Sequence, residues 1–225
     1  MAFSTGSYAI TSSILTKPRS YLAGFSSASQ GYFAGGCYDN CVTYAIVDIL
    51  DFALNARSTD YASLPAPTYY CAGAQSSYAG YIAGGQSSSY SYSNYIHSML
   101  FANKACFALQ VSLSQHKASF ASVSAPECAY FAAGYSYDSS VNLSEIERLV
   151  FSTGACSKIG ASLPSAQILL TGAASKLRGV FIGGVTLGAK PTEVSALDFS
   201  TESMSTLSAL LAPWRHSAAS ISYQP

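Results

Sequence analysis

The chain has 225 residues, a formal net charge of zero and only 10% charged side chains, against 17 tyrosines set among serine, alanine and glycine. Nothing in that balance favours a nucleic-acid partner, which calls for a basic stripe to neutralise phosphates, and none is expected. At this length roughly 70% of the unfolded surface can be buried, enough for one large domain or a linear array of repeats.

The most apolar stretch, 41–56, is interrupted by Asp48 and Asp51, and no run of 18 apolar residues occurs, so no membrane span is expected. The N-terminus lacks a basic segment followed by an apolar core, which argues against a secretory signal. Six cysteines fall mostly at different places in different repeats, so reduced thiols are expected and a disulfide ladder is not.

Taken in order, the chain opens on Met1-Ala2-Phe3, the end of an apolar run that returns at Phe52, Phe101, Phe151 and Phe199 in steps of 49, 49, 50 and 48. Twelve residues after each phenylalanine stands a leucine: Leu15, Leu64, Leu113, Leu163 and Leu211. Next comes Tyr21-Leu22-Ala23-Gly24, whose small residues return in Tyr70-Cys71-Ala72-Gly73, Ser119-Phe120-Ala121-Ser122, Leu169-Leu170-Thr171-Gly172 and Ser217-Ala218-Ala219-Ser220. Gly31-Tyr32-Phe33-Ala34-Gly35-Gly36 follows, with copies at Gly80-Tyr81-Ile82-Ala83-Gly84-Gly85, Ala129-Tyr130-Phe131-Ala132-Ala133-Gly134 and Gly179-Val180-Phe181-Ile182-Gly183-Gly184. An apolar run ending in paired glycines is a strand driven into a tight turn, because glycine reaches φ > 0 without steric cost.

Each unit therefore reads as four strands separated by Ser, Gly, Asn and Pro: in the first unit A (20–25), B (31–36), C (45–52) and D (57–64). An amphipathic helix over 45–56 is the alternative, disfavoured because the equivalent runs 95–101 and 194–199 are too short for a stable helix. The expected organisation is one all-β repeat domain: a partial unit 1–19, full units 20–68, 69–117, 118–167 and 168–215, and an extra inner strand 216–225.

A period near 49 residues, four strands per unit and a double glycine closing the second strand resemble the kelch repeat of β-propellers. Trp214-Arg215-His216-Ser217-Ala218-Ala219 looks like the opening of a kelch blade, whereas strand D lacks the tryptophan usual in that family. The Tyr-Phe-Ala-Gly-Gly type of strand is closest in flavour to the degenerate kelch-like repeats of bacteriophage tail and surface proteins. The resemblance implies a non-enzymatic structural or adhesive component of a larger assembly, a virion fibre, tail or surface protein that presents loops to a partner or a host glycan. It places the protein on a virion or an extracellular surface. A monomeric adaptor or lectin, a small propeller enzyme and a cytoplasmic location are the alternatives.

Five A and five D segments stand against four B and four complete C segments. Either four blades close and the terminal strands are used elsewhere, or the ring stays open, or another chain supplies strands by edge addition. Subunit contacts through the terminal strands are the favoured expectation.

If strands run from A at the axis to D at the rim, the D-to-A and B-to-C connections share one face. That face carries loops 37–43, 86–94, 135–144 and 185–192, with Tyr38, Tyr90, Tyr92, Tyr135 and Tyr137, and the residues just before strand A, Arg19, Thr68, Lys117, Gln167 and Arg215. Tyrosine offers a rigid apolar body with a polar tip, suited to protein or glycan surfaces. The five tyrosines with Arg19, Lys117 and Arg215 near the channel mouth form the candidate binding face; the competing expectation is that they merely solvate long turns. His97, His116 and His216 show no metal-ligand spacing, and Cys37 with Cys41 is at most half of a zinc site or a loop disulfide. Cys106 and Cys156 share a repeat position with Tyr8, Arg57 and Met204, a tolerant strand position. No nucleophile elbow, phosphate loop or carboxylate pair is visible, and the histidine and tyrosine copper ligands of kelch-type oxidases find no match, so neither metal, cofactor nor catalysis is expected.

Overall fold

The structure is a computed structural model and describes residues 15–39, 42–58, 62–187, 191–210 and 216. The described residues contain twenty strands and no helix, and the run at 45–56 forms a strand and a turn. Blade 1 holds β1 (Ala23–Ser26), β2 (Gln30–Ala34), β5 (Ile46–Asp51) and the outer pieces β6 (Ala56–Arg57) and β7 (Ala62–Ser63), with a hairpin of β3 (Cys37–Tyr38) and β4 (Val42–Thr43) at one end. Blade 2 holds β8 (Ala72–Gln75), β9 (Ala79–Ala83), β10 (Tyr95–Leu100) and β11 (Cys106–Ser112). Blade 3 holds β12 (Lys117–Ala118), β13 (Ala121–Ser124), β14 (Cys128–Ser136), β15 (Val141–Val150) and β16 (Cys156–Ser162). Blade 4 holds β17 (Thr171–Ala174), β18 (Arg178–Ile182), β19 (Glu193–Asp198) and β20 (Met204–Leu210). All pairings are antiparallel, and the four sheets form a four-bladed β-propeller arrangement.

The paired glycines act as expected. Both residues of each pair have positive φ, Gly35 at 69° and Gly36 at 95° for example, and Ala133 adopts 64° in the third copy. The second member donates its N–H across to the residue before the next inner strand: Gly36 to the Thr68 carbonyl (2.8 Å), Gly85 to Lys117 (2.9 Å) and Gly134 to Gln167 (3.0 Å). There is no room for a side chain, since a Cβ at Gly85 would stand 2.8 Å from the Tyr69 carbonyl. In blades 1 and 2 one turn thus ends a strand and anchors the following blade, and in blade 3 the same anchor sits at an irregularity within β14.

Period-2 alternation sends one side of each sheet toward the preceding blade and the other toward the next. Three apolar slabs result. Tyr32, Ala34, Val47, Ile49 and Leu64 of blade 1 meet Cys71, Ile82 and Met99 of blade 2. Tyr81, Ala83, Ile96 and Leu113 of blade 2 meet Phe120, Phe131 and Leu149 of blade 3. Tyr130, Ala132, Ile146 and Leu163 of blade 3 meet Leu170, Phe181 and Leu197 of blade 4. Among the described residues no comparable slab joins blade 4 to blade 1. The leucine twelve residues past each phenylalanine closes the outer strand onto the third one, with the Leu64, Leu113 and Leu163 N–H groups on the carbonyls of Ala45, Asn94 and Ser144.

Three of the repeat phenylalanines stack on the tyrosine of the preceding blade. Phe101 lies 5.1 Å from Tyr32, Phe151 4.8 Å from Tyr81 and Phe199 5.4 Å from Tyr130, all within 15° of parallel. Phe52, first in the described series, is 45% exposed. Residues 1–14, 211–215 and 217–225, on which most of the strand-count argument rests, lie outside the described residues.

Loop 135–144 is shorter than expected from the sequence. Tyr135 and Ser136 continue β14 and pair with Asn142 and Val141, so only 137–140 remain as a turn. The Tyr-Ser and Val-Asn-Leu steps prolong the alternation past the glycine, at the cost of a register shift between Ala132 and Gly134.

The stacking pattern yields a test. Phe101→Ala removes a ring from a buried slab and is expected to cost about 3–5 kcal/mol, whereas Phe52→Ala costs about 0.5 kcal/mol. Urea unfolding of both variants checks the contrast; equal losses would mean the stack contributes nothing special.

Candidate binding face

The B-to-C connections and the starts of the inner strands share one face, as the topology requires. Tyr69 bridges Gln86, and Gln86 in turn bridges Tyr92, tying the start of an inner strand to the loop beside it. Tyr92, from the loop of blade 2, stacks on Tyr137 of blade 3 at 5.1 Å and 17° and meets Tyr135 at 6.0 Å and 48°. Burial, together with the nearby Tyr135 and Tyr137 hydroxyls, holds the Tyr92 phenol above its ordinary pKa, so it stays a neutral donor.

Beside this cluster the His116 ring sits 2.9 Å from Asp138, and the His116 N–H donates to the other carboxylate oxygen at 2.8 Å. The Tyr137 N–H donates to the His116 carbonyl at 2.9 Å, so the His116–Asp138 contact and the tyrosine platform are fixed to one turn. That backbone hydrogen bond from His116, opposed by desolvation and reinforced by its ring, lowers the Asp138 pKa.

Of the tyrosines singled out from sequence, Tyr92, Tyr135 and Tyr137 come together. Tyr90 is 65% exposed on the tip of the same loop, at φ 59°, and Tyr38 is exposed on the β3–β4 hairpin of blade 1; neither makes a ring contact with the cluster. A second cluster was missed: Tyr21 and Tyr70 at 4.1 Å, with Tyr69 5.0 Å from Tyr70. Its signal was present, because Tyr21 and Tyr70 occupy one repeat position. Tyr21, Tyr70, Ser119 and Leu169 all have φ between 55° and 60°, and each N–H after the first donates to the carbonyl of its predecessor at 2.9–3.0 Å.

Arg19 and Lys117 are not surface charges. The Arg19 side chain is fully buried, with Nη1 2.7 Å from Asp48 and its other nitrogens donating to the Gly35 and Phe33 carbonyls. Lys117 is equally buried, 2.7 Å from Glu147 and 5.2 Å above the Phe120 ring. The sequence expectation of basic groups at the channel mouth is corrected accordingly: both cations are turned into their own blades by a carboxylate on the third strand. Arg215 lies outside the described residues, as does Cys41.

The partners could have been found by repeat register. Position 48 recurs as His97, Glu147 and Ser195, and position 19 as Thr68, Lys117 and Gln167. Blades 1 and 3 thus carry a charged pair where blades 2 and 4 carry neutral or weakly basic residues. Burial would raise the Asp48 pKa, but hydrogen bonds from Thr16 and Arg19 outweigh it and hold the carboxyl below its ordinary value. Burial alone pushes His97 down.

Burial raises the Cys71 and Cys156 thiols to about 12 and Cys106 to about 11, and pushes Cys128 up as well, which keeps these four protonated and weakly nucleophilic. Among the described residues no three His, Cys, Asp or Glu side chains converge as a metal would require, and no helix is long and apolar enough to cross a membrane. No protein-family model matches the chain, and none of the curated proteins does.

Two tests follow from the ion pairs. Glu147→Ser alone leaves Lys117 buried without a counter-charge and is expected to cost about 3–5 kcal/mol. Adding Lys117→Gln, which reproduces the Gln and Ser of blade 4, is expected to restore most of that stability; a double mutant as weak as the single one would show that the pair itself is required. The second concerns pH. Because the folded Asp48 pKa is depressed, the unfolded chain binds the extra proton, so its contribution is complete above the unfolded value of about 3.9 and is lost as pH falls through the folded one. Depressed His97 acts with the same sign below about pH 6.5. Urea midpoints should therefore fall as pH drops from 7 to 3, with Asp48→Asn flattening the acid limb.

Proposed function

We propose that this chain is a non-enzymatic, kelch-like binding propeller that serves as a structural or adhesive component of a larger assembly, a virion fibre, tail or surface protein, and presents its loop face to a partner protein or glycan. The observation that carries the reading is the Tyr92–Tyr137 stack with Tyr135 beside the exposed His116–Asp138 pair. Flat phenol rings offer an apolar bed for the C–H face of a sugar or for a partner's apolar side chains. The adjoining carboxylate accepts hydrogen bonds from hydroxyls. Tyrosine loses little rotamer entropy on binding, and the hairpin under Tyr137 is anchored by ladder bonds on both sides. The kelch resemblance and the phage-like flavour of the glycine strands supply the assembly context, and fold-level likeness alone does not set a ligand.

The test is a glycan array followed by surface plasmon resonance on any hit. Tyr137→Ala and Asp138→Asn are each expected to weaken binding at least about tenfold, as the loss of about 1.4 kcal/mol requires, with Phe107→Ser on another surface as an unaffected control. Unchanged affinity in both site variants would sink the reading. Light scattering over a dilution series tests the assembly half: a persistent multimer is expected, and a monomer at every concentration would favour a free adaptor or lectin.

A further inference from the structure

The opposite ends of the blades, where the A-to-B and C-to-D turns lie, carry a different feature. Three residues past each repeat phenylalanine the chain takes a left-handed residue: Asn55, Lys104, Gly154 and Glu202, with φ of 48°, 62°, 68° and 51°. Between blades 1 and 2, Lys104 reaches back across the stack. Its Nζ donates to the Phe101 carbonyl (2.7 Å), the Tyr32 hydroxyl (2.9 Å) and Gln30 Oε1 (2.6 Å), and lies 5.3 Å from the Tyr32 ring centroid. Between blades 3 and 4, Glu202 fills the same repeat position, accepting from the Tyr130 hydroxyl (3.0 Å) and from Arg148 (2.7 Å).

Between blades 2 and 3 the position is Gly154, and a Cβ built there meets nothing within 4 Å. The neighbouring repeat positions are small as well: Ala79 stands where Gln30 and Cys128 stand, and Ser98 where Ile49 and Arg148 stand. A cavity of about 170 Å³ opens there, bounded by Tyr78, Tyr81, Ser98, Leu109, Phe151 and Gly154. Apolar cavities of about 150 Å³ admit guests the size of benzene.

We propose that this cavity is a binding site for a primary alkylammonium group. Every element that holds the Lys104 ammonium has a counterpart. The Phe151 carbonyl stands for that of Phe101, the Tyr81 hydroxyl and ring for those of Tyr32, and the Tyr78 hydroxyl, which donates to the Phe151 carbonyl (3.0 Å) and accepts from Tyr81 (3.2 Å), replaces Gln30 as the third acceptor. Lys104 is held by neutral acceptors and a ring face without a carboxylate, and the cavity offers the same chemistry. Its Leu109 and Leu149 walls line the path of a butyl chain. The group comes either from a free alkylamine or from a lysine side chain of a partner protein.

The experiment is an NMR titration of the wild-type chain with n-butylammonium chloride, with 1-butanol as the neutral isostere and Nα-acetyl-lysine methylamide as the side-chain probe. Saturable shifts at Tyr78, Tyr81 and Gly154 are expected from butylammonium, with butanol at least about tenfold weaker. Gly154→Lys, at a φ that Lys104 already adopts, is expected to fill the cavity, raise Tm and abolish binding. Binding of the lysine derivative as tight as that of butylammonium marks a partner's side chain as the source, and binding of butylammonium alone marks a free amine. Equal affinity for butanol, no saturable butylammonium binding, or binding undiminished in Gly154→Lys overturns the proposal.

Discussion

The structure depends on one contact repeated three times: a phenylalanine ring laid flat on the tyrosine of the preceding blade, with the tyrosine hydroxyl donating to a polar group beyond it. Offset stacks of this kind add about 0.5–1.5 kcal/mol beyond the area they bury. Their larger effect is geometric, because each ring comes from a different blade and fixes the spacing between sheets that share no hydrogen-bonded ladder. Closeness at the axis does the rest: a Cβ at Gly73 would stand 2.6 Å from the Gly24 carbonyl, and the Ser122 hydroxyl donates to the Gly73 carbonyl at 2.6 Å. Small residues inside and aromatic pairs outside set the wedge shape that four sheets need to pack around a common axis.

Most of this architecture was legible in the sequence because it rests on periodic constraints. A glycine pair is needed wherever the backbone must turn left-handed against a neighbouring carbonyl, and a phenylalanine is needed wherever a tyrosine one unit earlier awaits it. Such requirements recur every 49 residues or so and announce themselves. Ala133 is instructive, since it holds φ 64° in place of a glycine and bears the strain at a fully buried position of β14. The register of the ladder, more than the residue type, dictates the conformation there.

The candidate site was less legible for a reason that follows from the same physics. A loop's residue types show its chemistry, but not which loop meets which: Tyr92 and Tyr137 are partners because blade 3 ends its second strand in a tight hairpin that tips the ring toward blade 2. The basic residues misled for the complementary reason. Arg19 and Lys117 look exposed as long as the position before strand A is read alone; read together with the third strand, each finds a carboxylate one strand-pair away. Asp48 and Glu147 share a repeat position, and that coincidence was the available clue.

Repeats that must keep the stack, the glycine turn and the closing leucine are free to vary elsewhere, and the variation is organised by interface. The junction of blades 1 and 2 is plugged by a lysine and that of blades 3 and 4 by a glutamate with its arginine, whereas the junction between them has a glycine at that position and is left open. The middle junction also carries the tyrosine platform at its other end. Blades 2 and 3 are joined at one end by the Tyr92–Tyr137 stack and at the other by the Tyr78 hydroxyl on the Phe151 carbonyl, without a charged side chain at the Gly154 position. Stability is secured at each described junction by the same few contacts, so a single junction can lack the plug at one end and carry longer loops at the other without losing its place in the stack.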